Sequence, residues 1–124
     1  MSSIAEIIDR YCDAWNDPDA QRRAQLLEQV CSERASYIDP AVQAAGASEL
    51  LAHIDKMVAR RPGAKVLRTS EVDVHHNVCR FAWHVVLADG TVLRAGIDIA
   101  ELSADHSRIE RVIGFFGELD NLQI

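Results

Sequence analysis

From Val78 to Leu102 the chain reads Val-Cys-Arg-Phe-Ala-Trp-His-Val-Val-Leu-Ala-Asp-Gly-Thr-Val-Leu-Arg-Ala-Gly-Ile-Asp-Ile-Ala-Glu-Leu. Cys79, Phe81, Trp83, Val85 and Leu87 alternate with Arg80, Ala82 and His84, a period of two that specifies a strand rather than a helix. Asp89-Gly90 is the strongest short hairpin signal a sequence can carry, because both residues tolerate positive φ. Residues 78–87 and 92–102 are therefore expected to pair. On the second strand Arg94, Gly96 and Asp98 share one face with small residues, as a pocket wall would. Leu93, Ala95, Ile97 and Ile99 form an aliphatic row on the other. Outward from this hairpin, residues 65–74 and 108–116 also read as strands, and the polar run 103–107 reads as a second turn.

Before residue 63 the period is helical. Ile4, Ile7, Ile8, Tyr11, Cys12 and Trp15 fall on one face, with Glu6, Asp9, Arg10 and Asp13 between them. Asp17-Pro18 stops this helix and suits the cap and first position of another, which carries Leu26, Leu27 and Val30. A short strand at 35–38 ends at Asp39-Pro40. A third helix has Leu50, Leu51, Ile54, Met57 and Val58 on one face, and Arg60-Arg61-Pro62-Gly63 closes it with positive charge and two breakers. Three helices and an early strand, followed by an antiparallel sheet, make an α+β domain with helices gathered on one face.

The chain has 124 residues, 48% of them apolar, enough for one domain (1–124) with a core and a small pocket. Nineteen acidic against thirteen basic residues give a net charge of −6. Nucleic-acid affinity depends on Lys and Arg neutralising phosphates, so no nucleic-acid partner is expected. The first residues mix acids among apolar side chains without a basic leader, which does not read as a signal peptide. The longest apolar stretch, 81–88, is too short to span a bilayer. Three cysteines (Cys12, Cys31, Cys79), widely spaced and without a CxxC pair, fit reduced thiols in a cytoplasmic protein. No phosphate-binding loop or nucleophile elbow is present. Asp73, His75 and His76 lack a convergent third ligand, so neither metal nor cofactor is expected.

Four segments, in order, carry a resemblance: Arg10-Tyr11-Cys12-Asp13-Ala14-Trp15-Asn16, Tyr37-Ile38-Asp39-Pro40, Gly96-Ile97-Asp98-Ile99 and Gly114-Phe115-Phe116-Gly117-Glu118. Together they resemble ketosteroid isomerase and, more broadly, the NTF2-like, SnoaL-like superfamily of small cone-shaped α+β domains. The resemblance implies three N-terminal helices packed on one face of a curved, mostly antiparallel sheet. It further implies that Asp39 is a general base acting next to a carbonyl, with Tyr11 and a protonated Asp98 donating hydrogen bonds to the enolate oxygen. Asp98 lies between Ile97 and Ile99 in a setting that disfavours its charged form. Epoxide hydrolases of the superfamily place an arginine two residues before an aspartate, where this chain has Gly96.

Each residue also has a plainer reading. Tyr11 is equally a core aromatic whose hydroxyl must find a partner, and Asp39 before Pro40 is equally a turn former. Arg94 is too far along its strand from Asp98 to pair with it directly. His84 shares its face with Arg80 and reads as a surface or interface residue. Trp15, Tyr37, His53 and Trp83 are expected to line the pocket. The leading expectation is a cofactor-independent isomerase or polyketide-cyclase-type enzyme transferring a proton on a small apolar carbonyl compound. The alternatives are a dehydratase or cyclase in which Asp98, with at most a histidine, does the acid/base work, or a non-catalytic binding domain. The aliphatic row opposite Asp98 predicts a homodimer packed sheet against sheet.

Overall fold

The structure, a computed structural model, describes residues 2–93 and 95–123. Helix α1 (Ile4–Asn16) opens on Ser3, whose hydroxyl accepts from the Glu6 amide, and α2 (Ala20–Val30) follows after a three-residue turn. The cap of α2 is Asp19 rather than Asp17. Asp17 closes α1 through its own N–H and accepts from the Asp19 amide at 2.8 Å, which delays the second helix by two residues. The Asp19 carboxylate then accepts from the Gln21 and Arg22 amides, satisfying two donors that the first turn leaves unpaired.

Strand β1 (Cys31–Asp39) starts directly from α2 and runs four residues earlier than the pattern suggested. A tight turn at Pro40 leads into β2 (Val42–Ala44), a strand the sequence did not announce. After α3 (Ala47–Arg60), the stretch expected as one strand is split into β3 (Lys65–Arg68) and β4 (Asp73–His75). The break has a specific cause: the Ser70 hydroxyl, not a backbone carbonyl, accepts from the Ala82 amide, ending the ladder. β5 (Val78–Val86) matches expectation, and His76-Asn77 forms the exposed turn before it, with His76 at φ 50°. Asp89-Gly90 sits in a tight turn, with Gly90 at φ 90°. Beyond it Val92 keeps only an isolated bridge to Val86, and the next strand, β6 (Gly96–Leu102), begins four residues later than expected. β7 (Ile109–Phe116) completes the sheet.

The order β2-β1-β7-β6-β5-β3, with β4 also on β5, is antiparallel except where β1 runs parallel to β7. This is a curved mixed sheet with three helices, an α+β architecture. Ile7 and Ile8 of α1, Leu27 and Val30 of α2 and Leu50 and Ile54 of α3 are buried with Phe81, Ala100 and Val112 of the sheet. Arg23, itself buried, ties α2 to Asp55 of α3 at 2.9 Å and to the Asp17 carbonyl at the end of α1. The Asn16 side chain bonds both the N–H and the carbonyl of Val66, fixing the end of α1 against β3. Among the described residues no helix is long and apolar enough to cross a membrane.

The register places Phe81, Asp98 and Gly114 in one row across β5, β6 and β7, and Trp83, Gly96 and Phe116 in the next. The intervening row, Ala82, Ile97 and Phe115, points to the opposite face, where Ile97 is 44% and Phe115 57% exposed. Leu93 does not join this outer row. The strand is interrupted before Gly96, which resets its parity, and Leu93 turns toward the cavity described below.

Candidate active site

A cavity of about 680 Å³ lies between the helices and the inner face of the sheet. Its volume falls within the roughly 300–1,000 Å³ of small-molecule sites. Tyr11, Trp15, Tyr37, Asp39, His53, Trp83 and Asp98 all line it. Every side chain singled out in the sequence as catalytic or ligand-contacting thus faces one space. Arg94 lies outside the described residues.

Asp98 occupies the middle of β6 on the inner row and is 7% exposed. Gly96 lies two residues before it, and a Cβ at that position would fall inside the Trp83 indole. The missing side chain lets the indole lie across β6, where its N–H donates to Asp98 Oδ1 at 2.9 Å. Burial pushes the Asp98 carboxyl up to about 7; the Trp83 bond opposes this and the nearby Asp39 charge adds to it. The direction is the one the sequence suggested, toward the protonated acid. No arginine among the described residues pairs with Asp98.

Tyr11 is buried on α1, and burial, then the Asp98 charge, holds its phenol well above the usual range. Its hydroxyl has no hydrogen-bond partner among the described residues. The sequence predicted an inward hydroxyl with a partner; the structure buries the hydroxyl, and the Trp15 side chain approaches it and favours the ionised phenol, outside ordinary hydrogen-bond geometry. An unsatisfied buried hydroxyl costs about 1–3 kcal/mol, which makes it an unusual feature for a purely structural tyrosine.

Asp39 combines two of its expected features. Its Oδ1 accepts from the Ala41 and Val42 amides at 2.7 and 3.1 Å, making the turn into β2. Its Oδ2 accepts from the Tyr37 hydroxyl at 2.6 Å, and the carboxylate still lines the cavity. Gly114 separates the two acids: a Cβ there would stand 2.9 Å from Asp98 Oδ1 and 3.3 Å from the Asp39 Cβ. A side chain there would displace the Asp98 carboxylate and crowd the Asp39 Cβ.

Aromatic rings form the walls. Trp15 meets Tyr11, Tyr37 and His53 with ring centroids 6.4, 5.7 and 5.8 Å apart, and Trp83 stands edge-on to Phe116 at 5.9 Å. Burial lowers the His53 pKa below its usual value, so its ring is mostly neutral at pH 7. Cys12 also lines the cavity, but burial pushes its thiol up to about 12, leaving it protonated and unreactive. His84, on the outer row, lies away from the cavity and half-buried. Among the described residues no three His, Cys, Asp or Glu side chains are grouped to hold a metal ion.

Sequence reading missed part of the α3 wall. His53, Lys56, Met57, Arg60 and Arg61 all line the cavity at the spacing i, i+3, i+4, i+7 and i+8. Extending the helical period from His53 would have found them. Gly114 and Phe116 were quoted only as parts of a motif.

No protein-family profile matches the sequence, and no curated protein matches it. Solved structures do. A candidate isomerase of the SnoaL-like family from Agrobacterium tumefaciens is 31% identical, with 95% of this chain and 100% of that one covered and a TM-score of 0.86. An NTF2-like protein of unknown function from an Exiguobacterium species is 20% identical over 91% of this chain and 99% of that one, with a TM-score of 0.73. A candidate ketosteroid isomerase from Kribbella flavida is 15% identical over 98% and 82%, with a TM-score of 0.69. At those lower identities the likeness is one of fold. With the α+β architecture, the cavity and the full-length match at 31% identity together, the chain belongs to the SnoaL-like family, and it shares its fold with NTF2-like proteins.

Proposed function

We propose that the cavity transfers a proton next to the carbonyl of a small, largely apolar compound, as an isomerase or cyclase of ketosteroid isomerase-like type. The observation that carries this reading is that Tyr11 and Asp98, two buried potential donors whose charges influence each other, line the same largely apolar cavity. A carbonyl oxygen that gains negative charge would accept from both, and donors already in place cost no reorganisation at that moment. Asp98 donates in its protonated form through Oδ2, since Oδ1 is taken by Trp83. Asp39 receives the proton from carbon on the Oδ2 side, with Tyr37 orienting its carboxylate. No cofactor is required for this chemistry. Two copies packed through the outer sheet face, each with its own cavity, complete the proposed assembly.

The test is proton exchange. A panel of cyclic ketones and enones is incubated in D2O with the protein, and loss of the α-proton signal is followed by NMR. Enzyme-dependent exchange that falls by ~10²–10⁴-fold in Asp39→Asn is the expected result. Exchange by Asp39→Asn at the full rate removes Asp39 as base. Ligand binding with no exchange on any member of the panel favours a non-catalytic binding domain.

One observation favours a second reading. Asp39 already accepts three hydrogen bonds, whereas the largely neutral His53 accepts none among the described residues. A dehydratase or cyclase in which Asp98 and His53 exchange the proton, with Tyr11 structural, would lose activity in His53→Gln and keep it in Asp39→Asn.

A further inference from the structure

We infer that the ligand of this cavity is an anion, an apolar carbonyl compound carrying a carboxylate at the end remote from the reacting carbonyl. The inference deepens the proton-transfer reading and rests on it for the orientation of the ligand. Its own support is the face that α3 turns to the cavity. His53, half-buried, stands beside Tyr37 and Trp15 with ring centroids about 6 Å away. One turn later come Lys56 and Met57, and a further turn later Arg60 and Arg61, with all three cations exposed and all lining the cavity. His53 and Met57 are half-buried and the face ends on the exposed Arg60 and Arg61, so the C-terminal end of the helix lies toward the mouth. Seven residues of helix rise ~10 Å, which sets the spacing between the His53 level and the outermost cations.

None of Lys56, Arg60 and Arg61 makes a side-chain ion pair or hydrogen bond among the described residues. Four other cations are paired, Arg22 with Asp17, Arg23 with Asp55, Arg68 with Asp9 and Arg80 with Asp73, whereas the exposed Arg34 and Arg111 make no side-chain ion pair among the described residues and lie outside the cavity lining. Favourable placement at a helix C-terminus accounts for Arg60 and Arg61 in part. It does not account for Lys56, a turn earlier, or for all three bordering one cavity. The same cavity is lined at greater burial by Asp98, buried, and Asp39, half-buried. Acids at the floor repel a carboxylate and cations at the rim attract it, so an anionic ligand enters with its neutral carbonyl end first. On a chain of net charge −6, this local positive rim also selects anions that the rest of the surface would repel.

The probes are 6-hydroxy-2-naphthoic acid, its methyl ester and 2-naphthol, in which the phenol stands in for the enolate oxygen. Binding is measured by fluorescence in low and high salt. The acid is expected to bind roughly tenfold or more tightly than the ester, a gap that shrinks at 0.5 M salt because rim charges are screened. The gap disappears in the triple variant Lys56→Gln, Arg60→Gln, Arg61→Gln. It persists in Arg34→Gln, Arg80→Gln, Arg111→Gln, which makes the same change in net charge at exposed positions outside the cavity lining. Circular dichroism verifies that both variants are folded. An acid that binds no tighter than its ester, fails to bind, or keeps its advantage in the rim variant overturns the inference. The two readings fail separately. Binding of 2-naphthol that needs Tyr11, without an acid–ester gap, leaves proton transfer standing. A rim-dependent gap with no proton exchange on any ketone leaves the anion site standing alone.

Discussion

The indole N–H of Trp83 donates to Asp98 Oδ1 at 2.9 Å, so this buried carboxylate is held by a neutral donor rather than a cation. An arginine in that place would keep Asp98 ionised and bar it from donating a hydrogen bond. A neutral donor leaves the carboxyl balanced at about 7, and Gly96 makes the arrangement possible by leaving room for the ring.

Stability should record that balance. The native state raises the Asp98 pKa from 3.8 to about 7, so the folded protein binds this proton more tightly than the unfolded chain. Its contribution is fully present below pH ~4 and is lost as pH rises through about 7. Asp98→Asn keeps the Oδ1 acceptor and removes the titration. The variant should therefore gain on the wild type by on the order of 3 kcal/mol between pH 4 and pH 8. Urea unfolding of both proteins across that range measures the difference. A constant difference would mean that Asp98 does not titrate in this window.

The Tyr11 hydroxyl invites the opposite comparison, stability against function. Tyr11→Phe removes an unsatisfied donor and keeps the packing of the ring against Trp15. Thermal stability should be unchanged or rise by about 1 kcal/mol, while turnover or phenol binding falls at least tenfold. A clear loss of stability with unchanged binding would assign Tyr11 to the core alone.

Much of this geometry was legible in the sequence, for reasons that can be named. The period of two from Val78 and the Asp89-Gly90 turn depend on local chemistry, and both are found. Helix α1 turns Tyr11 inward because its apolar spacing leaves no other face to bury. The early part of β1 was not legible, since Glu33 and Arg34 are exposed and the strand is held by its parallel partner β7. Leu93 was placed on the wrong face because parity holds only along an unbroken strand, and nothing local marks the interruption before Gly96. Arg60 and Arg61 were visible as a helix-ending signal and Lys56 was not singled out; the relationship of all three to the cavity needed α3 set against the sheet.

Asp39 separates turn-making from chemistry. Its Oδ1 carries both backbone bonds and its Oδ2 faces Tyr37. Asn retains one oxygen for the turn, so Asp39→Asn should cost about 1 kcal/mol of stability or less while slowing proton exchange by ~10²–10⁴-fold. Asp39→Ala should lose both, destabilising by about 1–3 kcal/mol as the two amides and the Tyr37 hydroxyl lose their partner. Chemical denaturation and α-proton exchange on the two variants read the effects independently. Equal stability of the two would show that the turn does not depend on the side chain.

Assembly is read on the outer face. Ala82, Ile97 and Phe115 lie side by side across β5, β6 and β7, and Leu67, 43% exposed, pairs with His84 nearby. Single exposed apolar residues are ordinary, but a row continuous across three strands is the kind of patch that soluble monomers seldom leave bare. A twofold dimer buries the same row on both copies, because an isologous contact is self-complementary. Light scattering at micromolar concentration should give twice the chain mass. Phe115→Glu should shift it to the monomer, since each copy would bring a carboxylate into an apolar contact. The side chain is exposed within one copy, so the isolated domain should lose little stability. A monomeric wild type, or a Phe115→Glu protein of unchanged mass, would show that this face meets solvent and not a second copy.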